Sequence, residues 1–344
     1  MKRVLITLLC IVLVFTCAAC GNTALEDTSS SPSSTRSTAS GSSSSSHTTT
    51  FAGDSTATTK RPDLIGNQTI AVPLAARQNG FTTLVFSDDF DVPGTIDYSG
   101  EGRPGYNWYI DRPYGWSTLS TDDFSIDNSV LTVGPKNPAS SYSLSTFSKA
   151  GNTGFTWKFG YAEACIRFQV DNVPTSAQGR HACPAFWGIS VHDVRGEKWT
   201  ECGELDIIEV FQNKDAVNSV YYGGTLHDHL KVGSSKQIGT NLANAIGYKG
   251  VQYRPDDGWH TYAALWTEGY IAWYVDGVFM HSVAFAENEL PVFRFRDYPD
   301  PLPSTETDRN WKGVHTIMNT EELVMVLGGD TLWPMDVDWV RIWS

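Results

Sequence analysis

Three carboxylic acids stand close together in the segment Gly203-Glu204-Leu205-Asp206-Ile207-Ile208-Glu209-Val210. The residues between them are apolar and mostly β-branched, so the segment reads as a strand. Side chains of a regular strand alternate between its two faces. Glu204 and Asp206 then share a face, and Glu209 falls on the opposite one with Leu205 and Ile207. That placement would bury an unpaired carboxylate in the core, which is costly. A β-bulge at Ile207-Ile208 removes the conflict, because one extra residue resets the alternation. Glu204, Asp206 and Glu209 then line one face, and Leu205, one of the two isoleucines and Val210 line the other. Like charges side by side destabilise a sheet, so such a trio serves chemistry better than stability.

Hydrolysis of a glycosidic bond with retention of configuration is one chemistry that has a use for such an arrangement. One carboxylate attacks as nucleophile and a carboxylic acid protonates the leaving oxygen, at a separation of roughly 5–5.5 Å. Four strand steps of ~3.3 Å put Glu204 and Glu209 roughly 13 Å apart along the chain, so the sheet must curve and the side chains must lean together. Asp206, between them, is placed to hydrogen-bond the nucleophile. Its negative field would raise the pKa of Glu209 and keep that group protonated as the acid.

The elements around this strand also read as β-structure. Short apolar or alternating runs recur between turn residues, as in Thr83-Leu84-Val85-Phe86, Val130-Leu131-Thr132-Val133, Tyr161 to Phe168 and Ile271 to Val275. Asp276-Gly277 follows the last of these and signals a tight hairpin, with Val278-Phe279-Met280 returning. The final strand, Met335 to Trp343, alternates Val337, Trp339 and Arg341 against Asp338, Val340 and Ile342. Many short strands and no long helical period imply an antiparallel sandwich or barrel from about residue 78 to 344.

Charge and composition narrow the partners. The 344 residues carry a net charge of −13, with 12 Trp and 14 Tyr. An acidic chain lacks the basic footprint that nucleic acid needs, whereas flat aromatic rings suit the apolar faces of sugars. Met1-Lys2-Arg3 followed by an apolar run to Ala19 reads as a signal peptide over 1–19. Cys17-Ala18-Ala19-Cys20 resembles a bacterial lipobox with Cys in place of the usual Leu, which makes Cys20 a lipidation site and the protein a bacterial cell-surface lipoprotein. Simple cleavage after Ala19 and release to the medium is the alternative. Residues 20–60, rich in Ser and Thr, read as a flexible tether, because they cannot bury enough apolar area to offset their ordering entropy. Of the remaining cysteines, Cys165, Cys183 and Cys202 lie in the folded part. An odd count leaves at least one free thiol, and no pairing follows from the sequence.

The carboxylate segment resembles the bulged Glu-x-Asp-x-x-Glu motif of glycoside hydrolase family 16, in its laminarinase-like branch. Further blocks are similar to that family in the same order. They are Val85 to Phe90, Phe159 to Ala164, Pro184-Ala185-Phe186-Trp187, Trp199 ahead of the carboxylates, the run from His260 to Gly277, and Asp336 to Arg341. Cys165, Cys183 and Thr200 depart from the family's usual Arg, Trp and Pro. The resemblance implies a β-jelly roll of two curved antiparallel sheets, concanavalin-like, with a cleft on the concave face. It implies Glu204 as nucleophile, Glu209 as general acid/base and Asp206 as their assistant, with no cofactor for catalysis.

Sugar-binding roles are expected for Trp199, Trp187 and His227, with Trp108 and Trp116 walling the cleft beside Tyr106 and Arg112. Trp187 and the loop aromatics are equally readable as packing residues. His227 and His229 stand two apart with no third ligand apparent, so a metal pair is set aside. Asp89 and Asp338 match positions near a structural calcium site of relatives, and oxygen donors suit calcium. The expectation is a monomeric endo-β-1,3-glucanase acting on polysaccharide. A galactan hydrolase (agarase or carrageenase), a mixed-linkage β-glucanase, a transglycosylase and a noncatalytic glucan-binding module are the rivals.

Overall fold

Alternation of apolar and polar residues over runs of four to twelve residues becomes, in the computed structural model, two large sheets packed face to face. The structure describes residues 70–110, 121–134, 142–169, 184–195, 201–212, 220–230, 235–241, 258–284, 292–295, 302–303, 321–329 and 334–344. The expected signal peptide and tether, Cys20, Arg112, Trp116, Cys183 and Trp199 lie outside these residues.

In chain order the strands of the first half are β1 (Leu84–Asp88), β2 (Ile96–Asp97), β3 (Trp108–Tyr109), β4 (Phe124–Asp127), β5 (Val130–Val133), β6 (Tyr142–Ser145), β7 (Phe147–Ser148), β8 (Thr153–Gly154), β9 (Gly160–Phe168) and β10 (Ala185–Ser190). Those of the second half are β11 (Glu201–Gln212), β12 (Val220–Leu230), β13 (Ser235–Asn241), β14 (His260–Trp266), β15 (Tyr270–Val275), β16 (Val278–Ala284), β17 (Val292–Phe295), β18 (Leu302–Pro303), β19 (Leu323–Gly329) and β20 (Met335–Trp343).

One sheet runs β18-β17-β16-β15-β14-β9-β20-β5-β4, with β1 also paired to β20. The other runs β13-β12-β11-β10-β19-β6-β3-β2. The ladders are antiparallel apart from the short β2–β3 pair. Neighbours such as β10 and β19 are distant in sequence, which is the crossed connectivity of a jelly-roll sandwich. Asp276 and Gly277 both take positive φ, 50° and 71°, in the β15–β16 hairpin. Positive φ at both central residues matches the twist of the flanking strands.

Between the sheets lies one large apolar cluster, fed from both sides by residues such as Phe186, Leu205, Leu226, Tyr262, Trp266 and Trp273. The alternation expected for β20 is corrected by a register shift at Asp338. Because of that extra residue, Val337 faces the core together with Val340 and Ile342, while the Arg341 guanidinium stacks over the Trp339 ring at 4.1 Å. A second, smaller cluster on the outer face of the first sheet joins Tyr161, Leu265 and Trp343 to Ala76 of the short helix Leu74–Gln78. Cys165 is a free, buried thiol, pushed above its ordinary range chiefly by burial and then by the charges of Asp338 and Asp276.

One buried carboxylate anchors the start of the domain. Asp88 accepts hydrogen bonds from the Phe90 amide (2.8 Å), the Asn107 side chain (3.0 Å), the Trp108 indole (2.9 Å) and the Thr95 hydroxyl. Removing it strands four donors at once, and each buried donor without a partner costs roughly 1–3 kcal/mol. Asp88→Ala is therefore expected to destabilise the protein by at least about 3 kcal/mol, and urea unfolding followed by tryptophan fluorescence checks it.

Candidate active site

The bulge expected in the carboxylate strand is present, and both neighbours of β11 register it. Against β10, Ile208 pairs with Phe186 and Asp206 with Trp187, which leaves Ile207 as the extra residue. Against β12, Asp206 pairs with Thr225 and Glu209 with Gly223, so Ile207 and Ile208 together oppose Gly224. Leu205, both isoleucines and Val210 enter the core cluster. The expectation was one isoleucine; the widened backbone turns both inward. Glu204 and Asp206 are 8% and 1% exposed, and Glu209 is half-buried.

The three carboxyls meet. Asp206 hydrogen-bonds the side chains of both Glu204 and Glu209. Its pKa lies well above the ordinary carboxylate value, first because it is buried and then because of the Glu204 charge. The hydrogen bond with Glu204 pushes in the same direction, and the bond with Glu209 pulls the other way. Burial and the neighbouring Glu204 charge both disfavour an ionised Asp206. The arrangement joins Glu204 to Glu209 through one carboxyl group, that of Asp206.

The remaining residues singled out in the sequence divide. Trp187 is the Cα partner of Asp206 and lies beside the trio, but it is 4% exposed in a cluster with Phe147, Ala185 and Ile189. Its indole donates to the Gly328 carbonyl at 2.8 Å. It is a packing residue of the site floor, with no open ring face for a sugar. Trp108 is fully buried, edge-on to Phe86 at 5.7 Å, with its N–H spent on Asp88; core packing replaces the cleft role expected for it. His227 is the Cα partner of Glu204 on β12. Tyr106 carries the Arg103 guanidinium over its ring at 5.3 Å.

Asp89 is partly exposed and Asp338 is buried. The Asp89 carboxylate is ion-paired with Arg341 at 2.6 Å. Among the described residues no group of three or more His, Cys, Asp or Glu is placed to hold a metal.

Three residues behind the trio escape a reading of the sequence for chemistry. The Trp273 indole, from the opposite sheet, donates to the Asp206 backbone carbonyl at 2.8 Å. Gly224 leaves it room, and His281 stacks on it at 4.3 Å. The glycine pair Gly223-Gly224 inside a strand was the available signal, since such glycines mark a close approach of another group.

With this geometry, comparison with known proteins becomes informative. Residues 118–322, more than half the chain, match the family described as Glycosyl hydrolases family 16. This chain belongs to that family. Similar relatives include the endo-1,3-1,4-beta-glycanase ExsH of Rhizobium meliloti (strain 1021), 30% identical over 60% of this chain and 37% of that protein. EglC of the same organism, an endo-1,3-1,4-beta-glycanase, is 27% identical over 64% of this chain and 44% of its own length. The keratan-sulfate endo-1,4-beta-galactosidase of Sphingobacterium multivorum is 21% identical over 67% of this chain and 51% of its own length. The chain therefore spans 37%, 44% and 51% of these three relatives. Among solved structures, LamAcat from Zobellia galactanivorans covers 77% of this chain with 99% of its own, at a TM-score of 0.46 and 16% identity.

The protonation of Asp206 has a measurable consequence. A carboxyl whose folded pKa is raised supports the fold below its unfolded value of 3.8 and loses that support as pH rises through its folded value. Asp206→Asn, which is nearly isosteric and cannot ionise, should lose less stability than the wild type as pH climbs above about 4. Thermal unfolding of both proteins across that range checks this, and parallel curves would contradict it.

Proposed function

We propose that this chain is an endo-acting, retaining glycoside hydrolase of polysaccharides, with β-1,3-glucan as its substrate. The observation that carries the reading is the Glu204–Asp206–Glu209 trio, bridged through Asp206 on a bulged strand. Glu204 attacks the anomeric carbon and forms a glycosyl ester, while Glu209 gives its proton to the departing sugar oxygen. Glu209, now a carboxylate, takes a proton from water, whose oxygen displaces Glu204 and completes the hydrolysis. Asp206 donates to the Glu204 carboxylate and orients it for attack. Three carboxyls and water suffice, so the reading assigns no part to a metal or an organic cofactor.

The choice of β-1,3-glucan rests on the resemblance of the sequence blocks to laminarinase-like enzymes. It is supported by a relative named glucan endo-1,3-beta-glucosidase A1, of Niallia circulans, 24% identical over 68% of this chain. A second reading keeps the mechanism and changes the polymer. It is favoured by the relatives named for 1,3-1,4-linked glycans and for keratan sulfate. A purely glucan-binding role is disfavoured because all three carboxyls are retained and joined. The same proposal places the enzyme outside the cell as a monomer, exported by its first 19 residues and held at the surface through Cys20.

Purified full-length protein is expected to release reducing ends from laminarin and curdlan. Release from lichenan, agarose or κ-carrageenan alone would keep the mechanism and change the substrate. Silence on all five together with retention on an insoluble glucan would return the binding role. Glu204→Gln and Glu209→Gln should each lower turnover at least about 100-fold while leaving the fold intact. The first product, followed by NMR, should carry the β configuration; an initial α product would exclude the retaining route.

A further inference from the structure

A bulge in the middle of a sheet is mobile in principle. The extra residue can migrate by one position, and each such step turns a neighbouring side chain to the other face. In β11 a migration would carry Glu209 or Asp206 into the core. Something must select the one position that keeps all three carboxyls together.

The selecting contact comes from the opposite sheet. The Asp206 carbonyl, at the start of the bulge, accepts the Trp273 indole N–H at 2.8 Å, and the bond is buried. Trp273 is itself fixed on two sides. Its ring lies flat on the His281 imidazole, with centroids 4.3 Å apart and planes 11° apart. His281 is its Cα partner on β16, next to a second bulge in which Met280 is the extra residue. Burial pushes the imidazole down to about 3, against the pull of the Gly224 backbone, so the stack holds a neutral ring at working pH. On the other side stands Gly224, the residue opposite the first bulge, where any Cβ would lie 2.5 Å from the Trp273 ring. The two bulges, one in each sheet, are thus joined across the core by a single indole.

We infer that Trp273, seated by His281 and Gly224, is a positioning residue whose N–H fixes the bulge at Ile207-Ile208 and with it the spacing of Glu204 and Glu209. The inference deepens the hydrolase reading and rests on it for its kinetic test. A displaced bulge leaves the sugar-contacting surface largely in place and misaligns the two reacting groups. Turnover should therefore fall while substrate binding persists, and a misplacement of about 1 Å is enough for about a 100-fold loss.

Trp273→Phe in the full-length protein keeps an aromatic ring on His281 and deletes the N–H. At a temperature well below its unfolding midpoint it should show kcat on laminarin reduced about 100-fold with KM within about twofold of wild type. Gly224→Ala, which drives a methyl into the indole, should show the same split and serves if Trp273→Phe does not fold. A folded Trp273→Phe protein with wild-type kcat overturns the inference, because a purely structural role lowers stability and leaves the turnover of the folded enzyme unchanged. A second measurement needs no substrate. Carbon-13 NMR titration of the Asp206 and Glu209 carboxyls should move between wild type and Trp273→Phe, and superimposable titrations overturn the inference as well. If the wild type hydrolyses no polymer the hydrolase reading falls, and the titration alone decides the role of Trp273.

Discussion

Two isoleucines opposite one glycine set the geometry on which the rest of this protein depends. A regular strand through residues 204–209 would divide its three carboxyls between solvent and core, and the core share would be an isolated buried charge. The bulge converts that penalty into a shared site: Glu204, Asp206 and Glu209 meet, and the isoleucines that create the extra residue both pack inward. The sandwich supports this from behind. Trp273 crosses the core to satisfy the carbonyl that the bulge turns inward, and the Gly224 position has no side chain that would bar its approach.

Gathering three acids in a nearly dry place is tolerable only if they share protons. Burial pushes the Asp206 pKa up, and the charge on Glu204 reinforces it. The result is a chain of three carboxyls joined by hydrogen bonds through Asp206. The same low-dielectric setting that makes an unpaired charge expensive makes these hydrogen bonds strong. Elsewhere in the domain the buried acids are handled differently. Asp88 is ringed by four donors, and Asp336 by Arg167, Gln169 and Thr132. Those carboxylates hold elements together; the trio is the one group of acids described here that is joined chiefly to other acids.

The sequence patterns translated unevenly into structure. Strand positions and the Asp276-Gly277 hairpin followed from alternation and turn chemistry, which are local properties. The bulge in β11 was legible because the price of burying Glu209 is visible in one strand. The comparable bulge at Asp338 in β20 was not, since the alternation there reads acceptably in either parity until neighbouring strands fix the register. Trp187 and Trp108 show the same limit. An indole near a catalytic motif suggests a sugar platform, but both rings are covered by residues distant in sequence and both N–H groups are spent on internal acceptors. Likewise Asp89 meets a guanidinium 252 positions away in the chain, which no local pattern announces.

By itself, the sequence determined the chemistry-bearing trio, the β-rich class of the domain and the need for an irregularity between Asp206 and Glu209. These follow from residue type and spacing, and both act over a few residues. Only the tertiary structure decided how burial shifts the Asp206 carboxyl, which aromatic rings are core, and which group on the far sheet reaches the bulge. Protonation depends on burial from all sides, and packing depends on partners that the chain brings together across the whole domain. Neither quantity exists until the two sheets have closed on one another.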